Sequence, residues 1–541
     1  MRNYDTDVLI VGAGPVGMAL ALDLKHRGVG FMEVEASDGT IGHPKVGTVG
    51  PRSMELFRRW GVAGRIRSAG WPGDHPLDVA WVTAVGGHEI LRLDFGTTDR
   101  RPELPYTPEP EHPCPQHWLA PLLAREVGVH PDGPLHLRCR LDGFTRDRDG
   151  VTAMVTDLAD GGAQLTVRAR YLVACDGAAS PVRKAAGIEA PRRHATRVFR
   201  NILFRAPRLH GQLGARNALV HFLTRPPALR FPLRSMDGQG LYRLTVAVRE
   251  GDAAGPDALT MVRTAIAYDT PVEILSENVW YLTHRIAERF RDGRVLLAGD
   301  AAHTLSPSGG FGMNTGIADA ADLGWKLAAE LAGWAGPRLL DAYETERRPV
   351  AERSLEEANV NLMRTMSREL PEEILLDTPE GAKARAELAA GMERGGVGRE
   401  FEAPDVHFGY RYASPLIDGG REHAPTGDGA WRTRAVPGAR APHAWLAPGV
   451  STLDSFGRGF VLLCFGGPGG TPGADVAEKA VREAFARRGV PLETAHWEEH
   501  RTVAELYGSP YVLVRPDGHV AWCGTDVPAE PGAWVDGMRG A

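Results

Sequence analysis

The sequence predicts an α/β protein, and three short patterns, far apart in its 541 residues, predict it. Each pattern is a glycine-containing turn directly after a run of apolar residues, as expected where a buried strand ends. The first is Gly-Ala-Gly-Pro-Val-Gly at 12–17, the second is Asp-Gly-Ala-Ala-Ser at 176–180, and the third is Gly-Asp at 299–300, before a glycine-rich stretch at 308–314. Together they indicate one pocket assembled from three segments.

The first pattern has the G-x-G-x-x-G spacing of a strand–turn–helix unit that binds a dinucleotide. Gly12 allows the tight turn, Gly14 lets the backbone approach a pyrophosphate, and Gly17 lets the helix pack on the strand. A helix that begins near Pro15 offers free N–H groups and partial positive charge to phosphates. Glu35 ends the next apolar stretch and can accept hydrogen bonds from ribose hydroxyls. The turn alone is weak evidence, but strand, helix and acid together indicate a dinucleotide cofactor.

The third pattern predicts a second helix N-terminus beside this cofactor. After Asp300 a loop leads through the glycines of 309–312 into a helix with apolar residues between 317 and 331. Its N-terminus can stabilise negative charge. If the dinucleotide is a flavin, this charge is that of the reduced flavin ring. Ionised Asp300 only accepts hydrogen bonds, which suits the hydroxyls of a ribityl chain. His303 in the same loop is either a catalytic base or, as is commoner, an anchor of the loop.

These residues resemble those of the FAD-dependent aromatic hydroxylases of the p-hydroxybenzoate hydroxylase type, over nearly the whole chain. The resemblance implies an FAD-binding Rossmann-like domain, an inserted β-sheet substrate domain and a C-terminal thioredoxin-like domain. The cofactor-binding residues that it implies are Gly12, Gly14, Pro15, Gly17, Glu35, Arg52, Gln116, Asp176, Gly177, Gly299, Asp300, Pro307, Gly310, Gly312, Met313 and Asn314.

Three longer stretches, at 50–61, 69–78 and 198–207, resemble more narrowly the flavoenzymes of indolocarbazole biosynthesis in the rebeccamycin and staurosporine pathways. This resemblance implies a substrate derived from chromopyrrolic acid, a flat dicarboxylate that carries two indoles. The ligand contacts that it implies are Lys45, Val220, Arg234, Arg243, Trp280 and Glu400. Lys45 and Val220 resemble the staurosporine branch, whereas Arg243 resembles the rebeccamycin branch. The oxidation level of the product, lactam or imide, therefore stays open.

The segment 231–243 indicates an acidic ligand from its residues alone. If a hairpin turns at 238–239, where a leading glycine suits a type II′ turn, Arg234 and Arg243 face each other across the ladder. Like charges placed opposite each other destabilise a sheet. An anion between them would turn this cost into a clamp, because guanidinium groups bind carboxylates in bidentate geometry. Alternatively, each arginine pairs with a local carboxylate, or the register separates the two.

Composition limits the other function classes. Apolar content of 43% and charged content of 24% are typical of soluble globular proteins, and a net charge of −6 argues against nucleic acid as a partner. The absence of C-x-x-C spacing predicts no disulfide framework, metal site or dithiol centre. The five cysteines are Cys114, Cys139, Cys175, Cys464 and Cys523. The apolar run near the N-terminus, broken by glycines, predicts neither a signal peptide nor a membrane span, so a cytoplasmic protein is expected.

The chain is expected to divide into four parts. The FAD-binding domain is expected to combine 1–70, 116–185 and 291–365, and the substrate-binding domain 71–115 and 190–290, where alternation at 241–248 indicates β-structure. Polar, glycine-rich 366–404 is predicted to be a mobile connection. The thioredoxin-like domain is expected at 405–541, with a strand at 460–465, a helix near 475–488 and a hairpin turning at 517–518, but without redox cysteines.

The predicted function is an FAD-dependent monooxygenase-like enzyme that oxidises or hydroxylates, and decarboxylates, a carboxylated indolocarbazole intermediate. NAD(P)H is the expected reductant. Because no second G-x-G-x-x-G follows a strand, NAD(P)H docks transiently or a separate flavin reductase serves the enzyme. The resemblance also implies a cytochrome P450 of the same pathway as a partner, and both monomer and homodimer stay open. The alternatives are an aromatic polyketide hydroxylase and a non-enzymatic flavoprotein that sequesters a reactive intermediate.

Overall fold

The computed structural model describes residues 2–45, 47–130, 133–225, 231–248, 256–366, 369–418, 434–465, 474–497 and 499–541. The helices within these ranges are α1 Pro15–Arg27, α2 Pro51–Arg59, α3 Ala63–Arg67, α4 Gln116–Val127, α5 Pro181–Ala185, α6 Leu209–Leu213, α7 Ala258–Ala265, α8 Phe311–Leu331, α9 Asp341–Met366, α10 Pro379–Arg394, α11 Pro404–Phe408, α12 Ala474–Arg487, α13 Arg501–Tyr507 and α14 Pro531–Met538. Not one of these helices has the length and apolar character needed to cross a membrane.

The strands are β1 Arg2–Val11, β2 Phe31–Glu35, β3 Thr48–Val49, β4 Val79–Val82, β5 Glu89–Leu93, β6 His112–Pro113, β7 Leu135–Leu137, β8 Cys139–Arg146, β9 Val151–Asp157, β10 Ala163–Ala174, β11 Arg197–Arg205, β12 Val220–Leu223, β13 Pro232–Ser235, β14 Leu241–Val248, β15 Glu273–Leu282, β16 Arg285–Ile286, β17 Arg291–Asp292, β18 Val295–Leu297, β19 His303–Thr304, β20 Trp445–Ala447, β21 Val450–Ser451, β22 Phe460–Cys464, β23 Leu492–His496, β24 Tyr511–Val514 and β25 Val520–Gly524. The α/β fold class is confirmed.

The first large sheet brings the three sequence patterns to one edge. Its strand order is β17-β18-β10-β1-β2-β7, with β9 and β8 added beside β10. Strands β18, β10, β1 and β2 run parallel, and the register aligns Leu297, Ala174, Val11 and Val34 in one row near their carboxyl ends. Ligands of open α/β sheets bind at this edge. All three glycine-containing turns follow these strand ends directly.

The second large sheet has the order β15-β11-β14-β13-β12-β4-β5. One face is covered by α6 and α7, and Phe204, Tyr242 and Leu244 are buried in that core. Successive side chains of a strand alternate between faces, so Arg243 projects from the opposite face. The pairing aligns Val220, Arg234, Arg243 and Leu203 across β12, β13, β14 and β11. The predicted register of the two arginines is confirmed.

The C-terminal part forms a four-stranded sheet of the order β23-β22-β24-β25. Strands β22 and β23 are parallel, whereas β24 is antiparallel to both β22 and β25. The core between this sheet and helices α12 and α14 also includes Trp325 of α8. The strand, the helix and the hairpin that turns at 517–518 are confirmed. No disulfide joins any two of the five cysteines.

The segment 366–404 is predicted to be a mobile connection, but the structure shows a helix within it. Helix α10 occupies Pro379–Arg394, and its first turn is capped by the Thr378 side chain, which accepts a hydrogen bond from Gly381 N. Met392 and Val397 are buried against the substrate-domain sheet. The glycines near 395 suggested a loop, but the Ala, Glu, Lys and Arg residues before them strongly favour helix.

Candidate cofactor and substrate site

The N-terminus of α1 faces open space at the sheet edge. Its N-cap, Gly14, has no side-chain cap, and a Cβ atom built on Gly14 would meet no atom within 4 Å. The turn below it is tight, because Gly12 has a φ of +102° and a Cβ there would lie 2.5 Å from the carbonyl oxygen of Cys175. Glu35 accepts hydrogen bonds from the N–H groups of Ala13 (3.0 Å) and Ser37 (2.8 Å). This geometry fits a cofactor pyrophosphate at α1 and a ribose at Glu35.

Helix α8 presents a second uncapped N-terminus, at Gly310. Asn314 fixes its position, because Asn314 Oδ1 accepts hydrogen bonds from Gly50 N (2.8 Å) and Ser53 Oγ (2.7 Å). Asn314 Nδ2 donates to the carbonyl oxygen of Gly310 (2.8 Å). Positions 310 and 312 have no neighbouring atom within 4 Å of a built Cβ. The turn thus leaves N–H groups and space for a flavin ring.

Helices α1 and α8 approach each other closely through small residues. A Cβ on Gly316 would lie 2.5 Å from Val16 Cγ2, and one on Gly299 would lie 2.9 Å from the same atom. This contact holds the two helix N-termini side by side, and the open space in front of them is the candidate cofactor cleft.

Two aspartates supply acceptors beside this cleft. Asp176 Oδ2 accepts a hydrogen bond from Val182 N (3.0 Å), while buried Asp176 Oδ1 has no partner among the described residues. Asp300 is open to solvent, yet the surrounding protein raises the pKa of its carboxyl through desolvation, against the opposing charges of His303 and Lys45. An exposed carboxylate beside the helix N-termini suits hydroxyl donors of a ligand.

His303 anchors the loop. Its Nε2 lies 2.7 Å from Asp319 Oδ2, and both side chains are fully buried. Asp319 also accepts hydrogen bonds from Arg347 Nε (2.7 Å) and Gly299 N (3.2 Å). With Asp319 as its partner, His303 is held away from the open cleft. The structure favours the anchoring role over the catalytic base.

Two further predicted cofactor residues are hydrogen-bonded within the protein, one has open space beside it and one is half-buried. Gln116 Oε1 accepts a hydrogen bond from Lys45 N (3.0 Å), and Pro307 O accepts one from Gly310 N (2.9 Å). Gly177 has open space beside it, and Met313 is half-buried in the first turn of α8.

Arg52, a predicted cofactor contact, also links two parts of the fold. It is buried, and it donates hydrogen bonds to Glu55 Oε2 (2.9 Å) and to the carbonyl oxygen of Asp517 (3.1 Å). A buried guanidinium needs such partners, and here the C-terminal domain provides one of them. Arg52 thus joins two domains, and its contact with the cofactor stays a prediction.

Arg234 and Arg243 form the polar centre of the substrate side. Arg243 Nη1 donates to the carbonyl oxygens of Pro44 (2.6 Å) and Lys45 (3.0 Å), and Arg234 Nη2 donates to Thr48 Oγ1. Both Nε atoms are buried and lack a partner within the described ranges. Burial lowers the pKa of both guanidinium groups to about 10, and the charge of Arg243 adds to this effect at Arg234. Two neighbouring guanidinium groups of this kind are suited to binding an anion.

An aromatic surface lies on the same sheet. Trp280 stacks on Phe199 with ring centres 5.1 Å apart, and Phe231 meets Phe199 edge-on at 4.9 Å. Buried Trp280 Nε1 has no hydrogen-bond partner in the part of the chain that is described. Val220 is buried opposite Arg234. These groups suit a flat aromatic ligand with an acceptor near the indole N–H.

Glu400 connects the helical segment after α10 to the flavin loop. Desolvation raises the pKa of its carboxyl to about 7, although hydrogen bonds with Gly309 N and the Ser308 hydroxyl act in the opposite direction. The adjacent Phe401 packs edge-on against Trp81 and Phe222 of the substrate sheet. Glu400 therefore titrates near neutral pH between the predicted cofactor and substrate sides.

Sequence reasoning missed the residues that hold these groups in place. Thr48 binds Arg234, Ser276 Oγ lies 2.8 Å from His43 Nδ1, and Phe199 supports Trp280. The register of β11 with β15 pairs Phe199 with Trp280 and Leu203 with Ser276. A correct prediction of this strand pair would therefore have indicated Phe199 and Ser276. The contacts of His43 and Thr48 depend on tertiary packing and left no signal in the sequence.

The chain belongs to the FAD-dependent aromatic-ring hydroxylases. The family described as the FAD binding domain matches residues 5–358, and the family described as the aromatic-ring hydroxylase C-terminal domain matches residues 434–536. Cofactor and class are thereby established: the protein is an FAD-dependent aromatic monooxygenase by family.

Among solved structures, the chain is similar to RebC, a rebeccamycin biosynthetic enzyme. A RebC structure soaked with chromopyrrolic acid and holding 7-carboxy-K252c is 60% identical, with a TM-score of 0.95 and full coverage of both chains. A putative polyketide hydroxylase of Streptomyces halstedii is 35% identical over 97% of this chain and 94% of its own. Tetracenomycin B2 monooxygenase-dioxygenase of Streptomyces olivaceus is 31% identical over 99% and 98%.

Proposed function

We propose that this protein is an FAD-dependent enzyme of indolocarbazole biosynthesis that oxidises and decarboxylates a carboxylated precursor derived from chromopyrrolic acid. The observation that carries the proposal is the pair Arg234 and Arg243, aligned in register and without a carboxylate partner among the described residues. The aromatic surface at Trp280 supports it, as does the 60% identity to RebC in complex with 7-carboxy-K252c.

In this proposal, one set of residues holds the cofactor and another set holds the substrate, on two sides of the candidate cofactor cleft. FAD, when bound, supplies the electron transfer and the reaction with oxygen. The N-termini of α1 and α8 would stabilise negative charge on the bound cofactor, and Asp176 and Asp300 would accept hydrogen bonds from its hydroxyls. The loop that contains Lys45 joins the sides, because its carbonyl accepts from Arg243 and its charge lowers the pKa of Asp300.

The arginine pair orients the substrate. Two guanidinium groups bind a carboxylate in bidentate geometry, which keeps it ionised and fixes the plane of the attached ring. Trp280 presents its ring face to that plane and its N–H to an acceptor. Water is displaced by these contacts, which strengthens each charge interaction.

We also infer the wider setting of the reaction. NAD(P)H reduces the flavin, either directly or through a separate reductase, in a cytoplasmic monomer or homodimer. A cytochrome P450 of the same pathway converts chromopyrrolic acid into the intermediate that this enzyme takes over. Because Lys45 and Val220 resemble the staurosporine branch, we propose the staurosporine-type lactam as the product in preference to the imide.

A reconstitution assay tests the proposal. Chromopyrrolic acid is incubated with the P450, its electron-transfer chain, NAD(P)H and oxygen, with or without FAD-loaded protein, and the products are separated by chromatography. The protein should convert a product mixture into one aglycone. FAD-free protein is the matched control, since a sequestering role without flavin chemistry would survive removal of FAD. Oxygen uptake equal to the product formed supports an enzyme.

The second candidate is a hydroxylase of aromatic polyketides. It is favoured by the 35% identity to a putative polyketide hydroxylase and by a 29% identical aklavinone-11 hydroxylase structure with a TM-score of 0.80. An unchanged product profile in the reconstitution assay would refute the indolocarbazole proposal and leave this candidate.

A further inference from the structure

A mixed cluster of metal-ligating side chains lies in the C-terminal domain, outside the cleft. It consists of Cys464, Glu478 and His496, whose ligating atoms all lie within 4.8 Å of one another. The three come from three elements: Cys464 ends β22, His496 ends β23, and Glu478 lies in α12. The sequence predicted no metal site because these residues are far apart along the chain and form no C-x-x-C pattern.

The fold explains why the three side chains meet. Strands β22 and β23 are parallel, and their register pairs Cys464 with His496, so both side chains project from the same face. Helix α12 covers this face and packs its buried residues Val481 and Phe485 into the same core as Cys464. Glu478 lies three and seven positions before them on the same side of the helix. His496 Nε2 lies 3.6 Å from Glu478 Oε2.

We propose that Cys464, Glu478 and His496 bind a divalent ion of the zinc class. Thiolate, imidazole and carboxylate are all ligands of Zn²⁺, at about 2.0–2.3 Å from the ion. Tetrahedral ligands at these distances are about 3.3–3.8 Å apart, so the observed cluster needs only small side-chain adjustments. Oxygen-preferring ions such as Mg²⁺ and Ca²⁺ are disfavoured by the sulfur and nitrogen donors.

The surroundings give the ion an entry path and an open coordination position. Cys464 is buried, the Glu478 side chain is 14% exposed, and the His496 side chain is 53% exposed. The ion would enter from solvent beside His496 and retain water as a fourth ligand. The Cys464 thiol loses its proton on binding, so affinity should rise with pH. Bound metal would tie α12 to the sheet and stabilise the folded domain by mass action.

Equilibrium dialysis against Zn²⁺ tests the site in the full-length, untagged protein with its FAD bound. Elemental analysis should find one Zn²⁺ per chain at this site. Cys464→Ser, Glu478→Gln and His496→Gln should each weaken binding at least tenfold, as even supporting residues of metal sites commonly do. The matched controls are Cys523→Ser, in the same domain, and Glu483→Gln, in the same helix, and neither should change the affinity. Flavin absorbance and circular dichroism check that each variant is folded.

X-ray absorption at the zinc edge gives a second measurement that needs no variant. The wild-type protein should show one sulfur ligand with nitrogen and oxygen ligands. No retained zinc, a first shell without sulfur, or equal binding by the three ligand variants would each overturn the proposal. Because the site lies outside the cleft, failure here leaves the proposed flavin chemistry intact.

Discussion

Arg234 and Arg243 each have a buried Nε without a partner among the described residues. Burial lowers the pKa of both guanidinium groups to about 10. Such positions persist when a ligand compensates the charge. Arg200 of the neighbouring strand offers a contrast, because its guanidinium pairs with Glu277.

Replacement of either arginine by alanine should weaken binding of a carboxylated indolocarbazole by about 2–5 kcal/mol, since one member of a desolvated charge pair is removed. Binding of the corresponding carboxamide should change little. Calorimetric titration of both ligands gives the comparison, and Arg200→Ala is the matched control. Equal losses for acid and amide would exclude the carboxylate clamp.

Glu400 predicts a pH dependence of stability. Its folded-state pKa of about 7 lies above the ordinary value of 4.5, so its neutral form is favoured in the folded protein. The stabilising contribution of this protonated carboxyl is complete below about pH 4.5 and is lost as the pH rises through 7. The melting temperature of Glu400→Gln, relative to wild type, should therefore increase between pH 5 and pH 8. Glu402→Gln, at an exposed neighbour, should show no such trend.

At the scale of elements, prediction succeeded where a local pattern determines the backbone. The turn at 12–17, the helix after 310 and the pairing of Arg234 with Arg243 all follow from glycine positions and strand alternation. Prediction missed α10, where terminal glycines outweighed a helix-favouring stretch, and it did not foresee the contact of Arg52 with the C-terminal domain, which is remote in sequence. Contacts between distant segments leave no periodicity to detect.

The close approach of α1 and α8 gives a test at this scale. Gly316→Ala would place a Cβ 2.5 Å from Val16 Cγ2 and 3.0 Å from Gly299 Cα, so the contact between the helices must rearrange, which is expected to move their N-termini. FAD affinity, measured by fluorescence titration, should fall. Gly391→Ala is the matched control, because that helical position has open space and alanine there should raise stability by up to about 1 kcal/mol. Unchanged FAD affinity in Gly316→Ala would mean that the cleft does not depend on this contact.

At the scale of the whole molecule, buried ion pairs join the C-terminal domain to the FAD-binding domain. Arg440 pairs with Glu55 of α2 (2.6 Å), and Arg515 pairs with Glu346 of α9 (2.7 Å), with all four side chains at most 5% exposed. Buried charges of this kind are costly to separate. The C-terminal domain therefore acts as a structural support of the cofactor domain, and its sheet reaches the base of α8 through Trp325.

Arg440→Ala should destabilise the whole protein at neutral pH. Arg440 is the largest favourable influence on Glu55 and, against desolvation, lowers the pKa of that carboxyl to about 2. Its loss leaves Glu55 buried with only Arg52 and Thr107 as partners, which should cost about 3 kcal/mol, the lower end of the range for broken buried pairs. Urea unfolding followed by both flavin and tryptophan fluorescence measures this cost. Arg501→Ala, which removes an exposed pair with Glu505, should cost no more than about 0.5 kcal/mol. If the two variants are equally stable, the Arg440–Glu55 pair does not hold the domains together. If the flavin signal is lost before the tryptophan signal in Arg440→Ala, the ion pair also maintains the cofactor cleft.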